Sequence, residues 1–108
     1  MNIDFSNLLF LGLNQEEKHN KFWGVYDRRP TETKRNYDVL VVYAGIGKPI
    51  NDTPKTFSFN TLHSTIESKK KKSGYTEIHE RDPEKLDEIF YEGFSEELHQ
   101  TIIMGMLK

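Results

Sequence analysis

Two glycines and a lysine end a β-branched run at residues 41–48, VVYAGIGK, and residues of these types could form a loop that binds phosphate. A Walker loop needs a glycine, four further residues, and then Gly-Lys followed by a hydroxyl residue. Here Val42 stands in place of the first glycine, and Pro49 follows Lys48 in place of the hydroxyl residue. No helix is predicted directly after Lys48, so no helix N-terminus would be available to the anion. The stretch instead predicts a turn between two strands, in which the glycines serve turn geometry and close backbone approach.

Histidines, serines and cysteines, which often carry catalysis or bind metals, form no pattern in this chain. The four histidines are not spaced as helix or hairpin partners, and there is no cysteine for a disulfide or a thiolate metal site. The serines are predicted at caps and on helix surfaces, with no nucleophile elbow near them. We therefore expect a non-catalytic protein that needs no metal or cofactor. A small enzyme whose site is assembled only in three dimensions has no motif in its favour.

Aromatic residues that stand close to lysines are the pattern most typical of a binding function. The pairs are Lys21 with Trp23, Lys48 with Tyr43, and Lys72 with Tyr75. Cations hold the phosphates of a nucleic acid and aromatic rings stack on its bases, so this combination suits single strands and DNA ends. The alternative is that the same aromatics are core residues or cross-strand pairs in a sheet. Both interpretations stay open at this point.

Charge is distributed unevenly along the chain, although the net charge is only −2. Residues 18–78 contain 12 lysines and arginines against 6 aspartates and glutamates, a balance of +6. Residues 79–108 contain 3 against 8, a balance of −5. The middle of the chain could form a basic face for a polyanion while the acidic segment faces elsewhere. The alternative is two surfaces that differ only in how they are solvated.

The 108 residues are enough for one domain, and the spacing of apolar residues indicates strands first and helices later. The predicted strands are 8–13, 21–28, 37–44 and 55–59. The third should be a central strand, because both of its alternating faces are apolar. Pro49 and Pro54, with Asn51 and Asp52 between them, predict a loop before the fourth strand.

The first predicted helix spans residues 60–72, where the period of the apolar residues changes. Leu62 and Ile66 stand four apart and should be buried on one face. Asn60 is the predicted N-cap, since its side chain can accept from the free N–H groups of the first turn. Gly74 is predicted to be the left-handed residue just after the helix.

Two more helices are predicted in the acidic tail. The first begins at Asp82-Pro83-Glu84, which supplies a cap, a first-turn proline and an acid in that order. The other begins at Ser95 and carries Leu98, Ile102 and Met106 at fourfold spacing. The tail residues expected to be buried, on the chain's own sheet or across a dimer, are Leu86, Ile89, Phe90, Leu98 and Ile102.

Three motifs, taken in order, resemble WGR domains. Residues 19–26, HNKFWGVY, resemble the Asn-Lys-Phe-Tyr strand of that family. Residues 41–48 resemble the Trp-Gly-Arg-Ile-Gly strand end after which the family is named, and residues 70–75, KKKSGY, resemble the Lys-x-x-x-Gly-Tyr sequence that closes its helix. The resemblance covers roughly residues 8–78, most of the chain.

The resemblance implies a twisted antiparallel sheet with one helix packed on a face, and a role in binding DNA ends. WGR domains occur beside the catalytic domain of poly(ADP-ribose) polymerases, where they help to bind DNA ends, and they also occur alone. Tyr43, Ala44 and Gly45 stand where the family has its tryptophan, glycine and arginine. Tyrosine can still stack on a base, whereas glycine offers no side chain to a phosphate. The remainder of the chain cannot hold an ADP-ribosyl transferase domain, so that activity is not implied.

These observations predict an α+β protein with a WGR-like domain at residues 1–80 and a C-terminal helical extension at 81–108, packed on the same domain. The predicted function is non-catalytic binding of nucleic acid, with DNA as the partner; the alternative is a protein-interaction or oligomerisation module, such as a homodimer. The predicted nucleic-acid-binding residues are Tyr43, Lys48, Lys21, Lys70, Lys71 and Lys72. The N-terminus does not resemble a signal peptide, and no apolar run approaches the roughly 20 residues that span a bilayer, so we expect a cytoplasmic location and no membrane.

Overall fold

The computed structural model describes residues 3–16, 19–32 and 35–107, which form a five-stranded antiparallel sheet and three α-helices. The strands are β1 (Leu8–Asn14), β2 (Lys21–Asp27), β3 (Asn36–Gly45), β4 (Asn51–Ser58) and β5 (Thr76–Glu77). The helices are α1 (Phe59–Lys71), α2 (Pro83–Ile89) and α3 (Phe94–Met106). This architecture confirms the predicted α+β class. No helix within the described ranges is long and apolar enough to cross a membrane.

The strands lie in the order β4-β3-β2-β1-β5, and every neighbouring pair is antiparallel. β3 is therefore an inner strand, as its apolar run predicted, and residues 39–42 are all buried. The register places Trp23 of β2 opposite Tyr43 of β3, and Val41 of β3 opposite Thr53 of β4. Because partners in register share one face of the sheet, these four side chains lie on the same side.

The prediction for β4 was wrong at its start, because residues 51–54 belong to the strand rather than to a loop. Pro54 pairs with Leu40 in the middle of this strand. β4 is at the edge of the sheet, where one row of backbone groups has no partner strand. Proline has no backbone N–H. On an edge strand it can stand where that N–H would face solvent, so that no hydrogen bond to the neighbouring strand is lost.

β4 runs directly into α1, so the helix begins earlier than predicted. Ser58, not Asn60, is the N-cap, and its side-chain oxygen accepts from the N–H of Thr61 at 3.3 Å. At the other end Gly74 has a left-handed φ of +75°, as predicted, but lies two residues beyond the C-cap Lys72. The N–H of Tyr75 then donates to the carbonyl of Lys69 at 3.1 Å, which directs the chain back towards the sheet.

α1 covers one face of the sheet, which we call the α1 face. Leu62 is buried there in one cluster with Val25, Val39 and Val41, and Ile66 packs against this cluster while remaining partly exposed. The predicted burial of Leu62 is confirmed, and that of Ile66 is confirmed in part.

α2 and α3 pack against the opposite face of the sheet. The stacked rings of Phe90 and Phe94 have centroids 4.1 Å apart, and Phe94 meets Phe22 of β2 edge-on at 5.1 Å. α3 approaches β3 so closely at Gly105 that an added Cβ would lie 2.4 Å from a methyl carbon of Leu40. The tail residues buried in this cluster are Leu86, Phe90, Phe94, Leu98 and Ile102.

The predicted burial of Ile89 was wrong, since 36% of its surface is exposed. The core-facing residues here are Leu86 of α2 and Phe90, the C-cap of that helix, which stand four apart. Successive helical residues are turned by about 100° from one another, so Ile89, next to Phe90, points away from that side.

Candidate nucleic-acid interface

An open cavity of about 320 Å³ lies on the α1 face, where β2, β3 and β4 meet the last turn of α1. Trp23 and Tyr43, which are opposite each other in register, both line it. Trp23 is only 7% exposed, whereas Tyr43 keeps 42% of its surface exposed and is available for stacking. The other lining residues are Val41, Thr53, Lys55 and Lys69.

Three lysines from three different elements come together beside this cavity: Lys21 of β2, Lys55 of β4 and Lys69 of α1, which we call the lysine cluster. The Nζ atom of Lys69 lies 5.0 Å from the ring centre of Trp23 and 6.0 Å from that of Tyr75. The Nζ atom of Lys21 lies 5.9 Å from the Tyr75 ring. These are distances at which an ammonium group is attracted to an aromatic face. The rings of Trp23 and Tyr75 therefore help to position the ammonium groups of Lys69 and Lys21.

The lysine cluster concentrates positive charge on the α1 face. Within the part of the chain that the structure describes, none of the three lysines forms an ion pair. Burial is the main cause that lowers the pKa of Lys69, and the positive charges of Lys21 and Lys55 lower it further. An anion placed among these side chains would relieve the repulsion between them.

The spacing along α1 explains why Lys69 reaches the sheet. Leu62, Ile66 and Lys69 follow one another at intervals of four and three, so they form one stripe of the helix. The first is buried and the second partly buried, and the stripe then reaches the open end of the sheet. There a lysine can lay its apolar stem along the sheet and keep its ammonium group at the surface. This stripe is the signal by which Lys69 could have been found in the sequence, and we missed it.

Of the predicted site residues, Tyr43 and Lys21 lie on the α1 face with the lysine cluster. Lys48 lies in the turn between β3 and β4, where it is exposed and its N–H donates to the carbonyl of Gly45 at 3.0 Å. Gly47, just before it, has a left-handed φ of +79°, which favours glycine at this turn. Lys48 thus lies beyond the end of the strand that carries Tyr43.

The lysine run after Lys69 has a different environment. Lys70 Nζ lies 3.6 Å from a carboxylate oxygen of Glu67 and 3.7 Å from one of Glu77, and Lys71 Nζ lies 3.5 Å from the other oxygen of Glu67. These two charges are therefore partly balanced. Lys72 is exposed and lines a second cavity of about 410 Å³; Lys21, which belongs to the lysine cluster, lines this cavity too. Glu16 lines this second cavity as well, so the basic surface that runs from Lys55 past Lys69 and Lys21 to Lys72 includes one carboxylate at its far end.

The apolar stripe of the tail, which suggested the alternative of a protein-interaction module, is used within the chain. Leu98 and Ile102 are fully buried in the cluster between α3 and the sheet, and Met106 packs against it. The large apolar side chains that α3 exposes are Met104 and Leu107 at its C-terminal end.

The described residues contain no candidate metal site: among residues 3–16, 19–32 and 35–107 no three His, Asp or Glu side chains are placed to hold an ion together.

Comparison of the chain with protein-family models, curated proteins and solved structures gives no significant match.

Proposed function

We propose that this chain is a non-catalytic nucleic-acid-binding module of the WGR type, and that DNA binds on the α1 face. The observation that carries this proposal is the lysine cluster, whose three cations form no ion pair with any other residue that the structure describes and stand beside an exposed tyrosine. A DNA backbone supplies the negative charges that such a cluster lacks, and its binding releases counter-ions. The resemblance to WGR domains implies three strands followed by a helix that ends in Gly-Tyr. The order β2, β3, β4, α1 and then Gly74-Tyr75 agrees with this and supports the same proposal.

In this proposal the phosphates lie along the lysine cluster and one base or sugar stacks on Tyr43. Trp23 is too deeply buried to stack on a ligand, and it instead supports the ammonium group of Lys69 from below. Lys72 extends the basic surface beyond the cavity, while Lys70 and Lys71 contribute less because nearby carboxylates partly balance their charges. The contacts proposed are to phosphate and to the face of one ring, so they would not select a sequence.

The test is a titration of the protein with fluorescently labelled single-stranded, nicked and duplex oligonucleotides at a low and a high salt concentration. We expect binding at low salt that weakens steeply as salt rises, because each phosphate contact releases a counter-ion. Lys69→Gln should weaken binding, whereas Lys85→Gln, an exposed position on the opposite side of the sheet, should leave it unchanged. Absence of binding to every oligonucleotide at low salt would refute the proposal and favour the protein-interaction alternative.

A further inference from the structure

The amine of Lys69 lies in a partly buried site near two other cations, unlike that of an exposed lysine such as Lys85. Lys21 faces it from β2 and Lys55 from β4, and the rings of Trp23 and Tyr75 lie beneath it. Burial and these two charges disfavour its protonated form, and this lowers the pKa of Lys69. The lowered pKa makes the neutral amine, which is the nucleophilic form, more available here than on an exposed lysine, whereas the faces of Trp23 and Tyr75 act in the opposite sense because they attract the ammonium form. Lysines that are desolvated or placed next to another cation are the ones that proteins use to form Schiff bases.

We propose that Lys69 is a nucleophilic amine that forms an imine with an aldehyde carried by a phosphorylated ligand. The preference for a phosphorylated ligand follows from Lys21 and Lys55, which form no ion pair within the described ranges and place positive charge near the amine. Lys55 lines the same cavity as Lys69, and Lys21 lines the second cavity described above. Lys69 lines two open cavities, and the one that it shares with Lys55, at about 320 Å³, is at the lower end of the range for ligand sites, so it suits one sugar or one small aromatic ring. Trp23 and Tyr43 provide its aromatic lining.

The step balances with the residues present and the ligand. The lone pair of the neutral Nζ attacks the carbonyl carbon, so that a C–N bond forms while the C=O π bond breaks, and one proton of the amine passes to the oxygen. The C–OH bond of the resulting carbinolamine then breaks, and its hydroxyl group and the second proton of the nitrogen leave together as water when the C=N bond forms. No electron acceptor or donor is consumed, and the reaction reverses when water returns.

Two sources could supply this chemistry, and they are separable. One is a small phosphorylated aldehyde, which does not depend on the proposed function. The other is the ring-opened sugar of an abasic site in DNA, whose aldehyde lies between two phosphates; this source rests on the proposed function, since the strand must first bind the α1 face.

The experiment is reductive trapping with borohydride, which converts an imine into a stable secondary amine. The intact protein is incubated in parallel with pyridoxal 5′-phosphate and with an oligonucleotide that contains one abasic site, and the modified lysine is located by peptide mass mapping. We expect most of the adduct on Lys69 in at least one arm, and a loss of most of the adduct in Lys69→Arg, which keeps the charge but cannot form the imine. Lys85→Arg is the matched control and should retain the full yield.

Label spread over the exposed lysines, or an undiminished yield in Lys69→Arg, would overturn the inference. The pH dependence provides a second readout, because adduct at Lys69 should persist to lower pH than adduct at exposed Lys85. If an intact oligonucleotide binds but neither aldehyde is trapped at Lys69, the inference fails and the proposed function stands. If pyridoxal 5′-phosphate is trapped there but no oligonucleotide binds, the inference stands and the proposed function fails. Circular dichroism verifies that each variant is folded, because Trp23 fluorescence would also respond to the loss of the Lys69 ammonium group above its ring.

Discussion

Lys69 and Lys71 stand two positions apart on α1, yet their surroundings give them different roles. Lys71 is largely exposed and pairs with Glu67 one turn earlier, so its charge is partly neutralised before any ligand arrives. Lys69 lies over the Trp23 ring beside two further cations and has no such partner in the described residues. The two lysines count equally in the composition, whereas a bound anion would be stabilised more by Lys69 than by Lys71.

The comparison of these two lysines is a test of where DNA binds. Lys69→Gln should weaken DNA binding at low salt and reduce the slope of log K against log salt by about one, because one phosphate contact is lost. Lys71→Gln should change both quantities less, since it removes a charge that Glu67 already balances. Fluorescence anisotropy over a series of salt concentrations measures both variants. A larger loss for Lys71→Gln would place the interface at the exposed lysine run instead of the cavity.

Tyr43 is the exposed aromatic residue of this site, and the contribution of its ring to DNA binding can be measured separately from that of its hydroxyl group. Tyr43→Ala should weaken binding of a single strand by roughly 1–3 kcal/mol, the range for one stacked base. Tyr43→Phe keeps the ring and should retain most of the affinity. The same titration measures both variants at low salt. If the alanine variant binds as tightly as the wild type, no base or sugar stacks at this position.

At the scale of elements, α3 begins without a capping side chain on its own N-cap residue. Its N-cap is Gly93, which has a left-handed φ of +90° and no side chain to accept from the first turn. The carboxylate of Asp87, in α2, accepts from the N–H of Ser95 at 2.8 Å instead. This backbone hydrogen bond lowers the pKa of Asp87, because it stabilises the charged carboxylate. α2 therefore helps to hold the start of α3 as well as packing beside it.

The cap supplied by Asp87 should be visible in the stability of the protein. Asp87→Ala should lower the free energy of unfolding by about 0.5–2 kcal/mol at neutral pH, the usual cost of losing a helix cap. The folded pKa of Asp87 lies below its ordinary value of 3.8, so this stabilisation is present above that value and is lost as the pH falls through the folded pKa. Urea unfolding of wild type and variant at neutral and acidic pH measures the difference. Glu88→Ala, an exposed neighbour, is the control and should show no such pH-dependent difference.

At the scale of the whole molecule, the uneven charge of the sequence is distributed over two sides of the sheet. The lysine cluster lies on the α1 face, and α2 and α3, on the opposite side, carry exposed acids that include Glu84, Glu88, Glu96 and Glu97. A polyanion would be attracted to one side and repelled by the other, which orients it before contact.

The tail formed by α2 and α3 should be required for the sheet to remain soluble. Deleting residues 82–108 would uncover Phe22, Leu40 and Val42, which are buried against it. We expect a lower soluble yield or a larger mass in solution, because exposed apolar patches of this kind drive association. Light scattering after size-exclusion chromatography gives the mass. A truncated chain of equal solubility and stability, and of unchanged monomer mass, would mean that the tail is dispensable.

Much of the fold could be predicted because its signals are local. Runs of apolar, aromatic and β-branched residues marked β1, β2 and β3, and Asp82-Pro83-Glu84 marked the start of α2, since a strand or a cap depends on residues next to one another in sequence. The start of β4 was mispredicted because the tolerance of Pro54 depends on its position at the edge of the sheet. Ile89 was mispredicted because a short helix leaves little periodicity from which to identify its buried side.

The sequence by itself determined the residue types of the candidate site: an excess of lysines in the middle of the chain, aromatics among them, and Tyr43 at the end of a central strand. Only the tertiary structure decided which lysines act together. Lys21, Lys55 and Lys69 are far apart in sequence, and they meet because the antiparallel register aligns β2, β3 and β4 while α1 packs across them with Leu62 and Ile66 towards the sheet. The physical reason is that a charge acts through space, so its partners are set by strand register and helix packing, which local patterns do not contain.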